Sequence, residues 1–162
     1  MAQSTTTYCF SGYLVTPLSS NRFYRLSSRH LHMDTLNRLR TLIGLAAADG
    51  QLAEKERHFI LSIGLANHLL VSEVLPLFTP EGAPEKIAHP VLDKEQTLLE
   101  LVQLMKIDEK IYQPEMRYCA QVAARLGFRE AAVFELMLHA RELADDPATL
   151  KLALKKYQVV QV

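Results

Sequence analysis

The chain has 162 residues, of which 49% are hydrophobic and 22% charged. This length and composition are typical of one globular domain with its own hydrophobic core, and they exclude a disordered chain. Basic and acidic residues number 18 each, so no net charge attracts nucleic acid and we expect no nucleic-acid partner. No apolar run approaches a membrane-spanning length, and the first residues lack a signal-peptide pattern. Cys9 and Cys119 are too distant in sequence to make a disulfide framework, so we expect a cytoplasmic protein.

The segment 1–33 differs from the rest of the chain in charge. It contains Arg22, Arg25 and Arg29 and no acidic residue, which leaves 15 basic and 18 acidic residues in 34–162. We predict a basic N-terminal extension over 1–33 and a helical domain over the remainder. The extension either packs on the domain as a loosely held arm or contacts an acidic partner or a lipid surface.

The first predicted element is a short β-hairpin around Ser11 and Gly12, and helices follow it. From Asp34 onward, apolar residues recur every three or four positions, which is typical of amphipathic helices. Before the connector 79–92 we predict three helices: one capped by Asp34 and ended by Asp49 and Gly50, a second through Ala66, and a short third capped by Ser72. After the connector we predict a fourth helix with the capping box Asp93 and Gln96, a fifth from Pro114 to Gly127, and a sixth through Leu143. A last helix is started by Asp146 and Pro147 and uses Leu150 and Leu154. The predicted fold class is all-α.

The apolar faces of the fifth and sixth predicted helices are expected to lie in the core. Their predicted buried residues are Met116, Cys119, Ala120 and Ala123 on the fifth helix and Leu136, Met137 and Ala140 on the sixth. Cys119 is therefore expected to be an inert, buried thiol.

The helical part contains an internal repeat. The segment 34–69 aligns without gaps with 93–128, and the alignment brings an Asp, followed seven positions later by a Glu, to the same helix-to-helix corner. The aligned acidic pairs are Asp49 with Asp108 and Glu56 with Glu115. Each copy is followed by a further helix, so we predict a helical bundle of two similar three-helix units with pseudo-twofold symmetry.

The corner motif resembles the second half of a calcium-binding loop. Asp49 and Gly50 are followed by apolar Leu52 and then by Glu56 on the next helix. One copy has too few oxygens for a hard cation. Two copies brought together would supply the four carboxylates of Asp49, Glu56, Asp108 and Glu115 to a divalent metal ion. The alternative is that each Asp and Glu only caps a helix.

Two copies of this motif also resemble a known family, the TerB-like proteins of the tellurite-resistance TerB superfamily, which are related to the TerB-like domains of J-domain co-chaperones. The copies are Ala-Ala-Asp49-Gly50-x-Leu52-x3-Glu56 and Ile107-Asp108-x2-Ile111-x3-Glu115. The resemblance implies an all-α fold of two similar halves and an acidic metal cluster at Asp49, Glu56, Asp108 and Glu115, for Ca²⁺, Mg²⁺ or Zn²⁺. It also implies a non-enzymatic protein that acts with a protein partner in a stress response or a membrane-associated assembly, without itself spanning the membrane.

Other functions stay open at this point. One is a purely structural protein–protein interaction module without metal, and another is an enzyme that uses carboxylate-bound metal. The pairs Glu54 with His58 and Glu135 with His139 have the i,i+4 spacing that can hold a metal on a helix, although surface ion pairing or solvation is the more common role of such pairs.

Overall fold

The computed structural model describes residues 8–10, 13–15, 28–48, 50, 52–79, 91–107 and 110–159. These residues form seven α-helices, one 3₁₀ helix and a two-stranded hairpin, so the all-α prediction is confirmed for the helical part that they cover. The elements are β1 (Tyr8–Phe10), β2 (Tyr13–Val15), α1 (Ser28–Ala46), α2 (Glu54–Ala66), α3 (Val71–Val74), the 3₁₀ helix (Leu75–Phe78), α4 (Lys94–Met105), α5 (Gln113–Leu126), α6 (Ala131–Ala144) and α7 (Pro147–Lys155).

The hairpin prediction is confirmed by the two short strands. β1 and β2 pair antiparallel, with Cys9 opposite Leu14, and both strands lie against α2. Ser11 and Gly12, which the strands flank, lie outside the described residues.

The central helix of the fold is α4. Every residue from Thr97 to Met105 is buried, and the helix contacts α1, α5, α6 and α7. A helix buried on all sides needs apolar side chains around its whole circumference, and Leu98, Leu99, Leu101 and Val102 meet that need. The core of the described part therefore surrounds α4.

The start of α1 differs from the prediction. The helix begins at Ser28, so the prediction that Asp34 caps it is wrong. Asp34 lies within the helix and is buried, and its Oδ1 accepts a hydrogen bond of 2.7 Å from the backbone N–H of Leu92. Its polar side chain is thus satisfied by a residue shortly before α4. The division predicted at residue 33 stays a prediction, and α1 runs across it.

Most other predicted helix ends are confirmed. Pro114 lies in the first turn of α5, and Gly127 ends that helix with a φ of 88°. Asp146 caps α7 by accepting from the backbone N–H of Thr149 at 3.2 Å. The capping box of α4 is only half formed: Asp93 accepts from Gln96 N–H at 3.2 Å, while the Gln96 side chain is hydrogen-bonded elsewhere.

The third predicted helix is real but starts differently. Ser72 is not its cap, because the backbone N–H of Leu70 donates to Glu73 Oε2 at 2.8 Å and makes Leu70 the N-cap. The α-helix gives way to the 3₁₀ helix at Leu75, just before Pro76, which lacks the N–H that an α-helical turn needs. Residues 80–90 of the predicted connector lie outside the described residues.

The core predictions hold in part. Buried residues are Cys119, Ala123, Leu136 and Ala140, whereas Met116, Ala120 and Met137 are only half-buried. Leu150 and Leu154 of α7 are buried as predicted.

Candidate functional site

The first acidic corner joins α1 to α2. Glu56 lies in the first turn of α2 with only 5% of its surface exposed. Its Oε2 accepts a hydrogen bond of 2.8 Å from the backbone N–H of Ala53, which is the N-cap residue. Alanine has no side-chain acceptor, so this is the glutamate half of a capping box. The carboxylate also benefits from the positive end of the helix dipole.

The second acidic corner joins α4 to α5 and repeats this arrangement. Glu115 Oε2 accepts from the backbone N–H of Tyr112 at 3.0 Å, and Glu115 is likewise 5% exposed. When 34–69 is aligned with 93–128, Tyr112 falls on Ala53 and Glu115 falls on Glu56. The two corners therefore place a buried glutamate in the same local geometry.

A third glutamate shows what capping alone requires. Glu73 makes the same bond to the N-cap of α3, yet its side chain is 35% exposed and its Oε1 lies 3.1 Å from His32 Nε2. Capping therefore does not demand burial. The burial of Glu56 and Glu115 is a property of the two corners and not of the capping bond.

The equivalence of the two segments extends to their distal helix ends. In both, the chain turns through a left-handed residue, with a φ of 66° at His68 and 88° at Gly127. A Schellman-type hydrogen bond closes each end, and the two bonds join aligned residues. These bonds are Leu69 N–H to Gly64 O at 3.0 Å and Phe128 N–H to Ala123 O at 2.8 Å.

The predicted metal site stays a prediction. Asp49 and Asp108 lie outside the described residues, and Glu56 and Glu115 lie within them. Among the described residues, no three Asp, Glu, His or Cys side chains are grouped closely enough to hold a metal ion. The structure thus places two of the four predicted ligands in matching corners, and the complete four-carboxylate set is not tested.

A buried charged cluster between α1 and α4 was missed by the sequence analysis. Arg38 is 1% exposed, and its Nε lies 3.3 Å from Glu100 Oε2. Gln96 Nε2 donates to Glu100 Oε1 at 3.1 Å, and Asp34 lies one turn before Arg38 on α1. The signal available in the sequence was a polar residue inside each apolar stripe, Arg38 between leucines and Glu100 within Leu-Leu-Glu-Leu-Val.

The hydrogen bonding of this cluster is incomplete within the described part of the chain. Arg38 Nε and Nη1 and Glu100 Oε2 are buried there without a hydrogen bond, so Arg38 and Glu100 interact by charge alone. Burial raises the pKa of Glu100, and the Arg38 guanidinium opposes that rise. Burial also raises the pKa of Asp34, against the hydrogen bond from Leu92. The cluster therefore disfavours negative charge on Asp34 and Glu100 at the same time.

The other residues considered from the sequence have ordinary surface or core roles. His58 Nε2 and Glu54 Oε1 are 3.7 Å apart on the exposed side of α2. Glu135 accepts from Tyr157 OH at 2.8 Å and from Lys156 Nζ at 3.2 Å, which ties α6 to the end of α7.

His139 and Cys119 also have ordinary roles. His139 Nδ1 lies 3.1 Å from Glu142 Oε2, at hydrogen-bond distance within α6. Burial raises the pKa of Cys119 to about 12, as expected for an inert thiol.

Among the described helices, none is both long enough and apolar enough to cross a membrane. No protein-family profile, curated protein or solved structure matches the chain. The resemblance to the TerB-like family accordingly stays a prediction based on the corner motif.

Proposed function

We propose that the chain is a non-enzymatic, TerB-like helical protein that holds a divalent cation with Asp49, Glu56, Asp108 and Glu115. It acts by binding a protein partner in a stress-response or membrane-associated assembly. The observation that supports this proposal is the burial of Glu56 and Glu115 in two corners of the same local geometry.

The proposal includes two similar three-helix units related by a pseudo-twofold axis. This part of the proposal is supported by the alignment of 34–69 with 93–128. The same sequence offset relates the capping bonds at the two corners, the Schellman-type bonds at the distal helix ends and buried side chains of the helices that come next in the chain. Val74 and Val133, for example, are related by this offset and are both fully buried in the third helices. Such symmetry would bring the two acidic corners together.

The buried carboxylates of Glu56 and Glu115 carry an electrostatic cost. A buried carboxylate is unfavourable unless hydrogen bonds or a cation compensate for its lost hydration. The capping bond supplies part of this compensation at each corner. An aspartate seven positions before each glutamate adds negative charge, and a divalent cation bound by oxygen ligands would offset the repulsion.

Calorimetric titration and thermal melting test the cation. Ca²⁺, Mg²⁺, Mn²⁺ or Zn²⁺ at millimolar concentration should raise the melting temperature of the wild-type protein, because a ligand that binds only the folded state stabilises it. The variant Asp49→Asn with Glu56→Gln should lose both the binding heat and the melting shift. Glu73→Gln is the matched control, since Glu73 makes the same capping bond outside the corners and should leave the cation response unchanged.

A second candidate function is an interaction module without metal. It is favoured by the capping bonds, which give Glu56 and Glu115 a structural role of their own. This candidate predicts no binding heat and no melting shift with any of the four cations, together with a loss of about 1 kcal/mol or less in the corner variant. That outcome would overturn the cation site and retain the helical binding protein.

A further inference from the structure

One exposed side of α6 is apolar. Phe134 is 50% exposed and Leu138 is 76% exposed, and they lie four positions apart, so their side chains are neighbours on the same side of the helix. Ala131, three positions before Phe134, is exposed on this side as well. The buried residues of α6, which include Leu136 and Ala140, lie on the opposite side. We call Ala131, Phe134 and Leu138 the outer face of α6.

Charged residues of opposite sign lie at the two ends of this face. Glu130 precedes Phe134 by four positions, and Arg141 follows Leu138 by three. The backbone of Glu130 is already helical, with φ of −51° and ψ of −33°. Glu130 and Arg141 are separated by about three helical turns, so they lie along the same edge of the outer face. Both are exposed, and within the described part of the chain neither forms an ion pair.

This pattern is complementary to its own copy when the copy runs in the opposite direction. A twofold axis midway between Phe134 and Leu138 places Phe134 against Leu138 of the second copy, and the reverse contact is made at the same time. The same axis places Glu130 near Arg141 of the second copy, twice. In a parallel pair, by contrast, each of these charges would meet its own like charge, which is repulsive. The charges therefore favour the antiparallel arrangement.

We propose that the outer face of α6 binds α6 of a second copy of the chain, as an antiparallel helix pair. Pairing removes the exposed apolar surface of Phe134 and Leu138 from water in both chains. An anionic lipid surface is a poorer occupant, because Glu130 and Glu142 are exposed beside the face. One helix pair is smaller than the ~800 Å² per partner of a standard interface, so the dimer should be weak and depend on concentration.

This inference goes beyond the proposed function, because it requires neither the cation nor the corner acids. Association should therefore persist in the presence of a chelator. A protein that dimerises without binding a cation, or binds a cation without dimerising, would separate the two proposals.

The first test is sedimentation velocity of the full chain at low salt, from about 1 µM to about 1 mM. We expect the wild type to change from monomer to dimer over this range. The variant Phe134→Gln with Leu138→Gln should raise the dissociation constant at least about tenfold, because the paired apolar side chains are lost. The control is Leu70→Gln with Leu75→Gln, which changes exposed leucines at the starts of α3 and the 3₁₀ helix and should associate like wild type. Circular dichroism shows whether each variant is folded.

The second test exchanges the charges and decides the direction of the helices. Glu130→Arg and Arg141→Glu should each weaken association, because each single variant places like charges at both ends of the antiparallel pair. An equal mixture of the two single variants should recover the dimer, since every contact then joins an acidic side chain of one chain to a basic side chain of the other. The variant that carries both changes should also dimerise like wild type.

Four outcomes would overturn the proposal. They are a monomer at every concentration, a dimer that the Phe134 and Leu138 variant leaves intact, an equal loss of association in the Leu70 and Leu75 control, and single charge variants that stay monomeric when mixed. The first outcome would leave the outer face of α6 to a different partner. The last would exclude the antiparallel pair even if a dimer exists.

Discussion

The two halves of the helical part, α1–α2 and α4–α5, share their apolar positions. Leu39 and Leu98, which occupy aligned positions in the two halves, are both fully buried, as are Leu42 and Leu101. The bonds at the corners and at the distal helix ends also correspond. Burial at these positions and the local hydrogen bonds thus correspond between the two aligned segments.

Charge distinguishes the halves. Position 38 is Arg in the first half, and the corresponding residue of the second is Thr97. Glu100 of the second half corresponds to Thr41 in the first. The Arg38–Glu100 ion pair can therefore form only between the first half and the second. It distinguishes this pairing from a pairing of two like halves, which the shared apolar positions do not. Buried polar groups can specify one pairing at a cost in stability, as a single buried polar residue does in coiled coils.

The largest expected effect comes from breaking this ion pair. Arg38→Met should lower the free energy of unfolding by about 3–5 kcal/mol, because Glu100 is left buried without its counter-charge. Arg38→Met combined with Glu100→Leu should be as stable as wild type or more so, by up to about 4 kcal/mol, because both charges of the pair are removed together and Asp34 keeps its hydrogen bond from Leu92. Urea denaturation at neutral pH measures both.

The double variant also tests the proposed specificity. It should remain folded and monodisperse if apolar packing alone determines which helices pair, and should populate alternative or associated states if the ion pair specifies them. A loss below about 0.5 kcal/mol in Arg38→Met, the range of a surface substitution, would show that the pair contributes little.

The third helices give the next effect, because they differ in length between the halves. Leu136→Ala in the 14-residue α6 should cost about 2–5 kcal/mol, since Leu136 is fully buried. Leu77→Ala, at the corresponding position in the four-residue 3₁₀ helix, should cost less because a short element can relax around the missing atoms. Denaturant titration measures both losses.

Leu138→Ala is the control for this pair, since Leu138 is 76% exposed. It should change the free energy of unfolding by no more than about 0.5 kcal/mol. An equal loss at Leu77 and Leu136 would mean that the two third helices are equally rigid.

The sequence predicts the helices well where local signals determine them. Pro114 and Gly127 bound α5, and Asp146 caps α7, because each acts on backbone groups close to it in the chain. The periodicity of apolar residues likewise identifies the buried face of α6, which includes Leu136 and Ala140.

Contacts between distant residues explain the failures. Asp34 was predicted as a cap because Asp is a common N-cap residue, but its carboxylate accepts from the N–H of Leu92, far along the chain. Arg38 and Glu100 each interrupt an apolar stripe, and only the crossing of α1 and α4 shows that they meet. The candidate site was predictable in part: the local geometry of Glu56 and Glu115 follows from their positions at helix starts, whereas the approach of the two corners depends on the packing of the halves.

The pH dependence of stability should distinguish Glu100, in the buried charged cluster, from Glu135, which is only partly buried. Burial raises the pKa of Glu100 above its ordinary value of 4.5, so the native state binds this proton more tightly than the unfolded state does. The resulting stability is complete below that value and is lost as the pH rises through the raised pKa. The free energy of unfolding of the wild type, minus that of Glu100→Gln, should therefore fall as the pH rises above 4.5.

Glu135 is the matched control with the opposite sign. Hydrogen bonds from Tyr157 and Lys156 lower the pKa of Glu135, so its stabilisation is present at neutral pH and is lost as the pH falls through the lowered pKa. The difference between wild type and Glu135→Gln should shrink on acidification. Denaturant titrations across the acid range test both, and a Glu100→Gln difference that grows with pH would contradict the assignment.

The smallest expected effect concerns the left-handed residues that end α2 and α5. His68, with a φ of 66°, carries a side chain in a conformation that favours glycine, and the second half has Gly127 at the corresponding position. His68→Gly should raise the free energy of unfolding by about 0.5–1 kcal/mol by relieving this strain. Gly127→Ala should lower it by about 1 kcal/mol through the backbone alone, because no other atom lies within 4 Å of the added methyl group. If thermal melting shows shifts of the same sign for both variants, the two helix ends are not equivalent, and the correspondence of the halves stops at their cores.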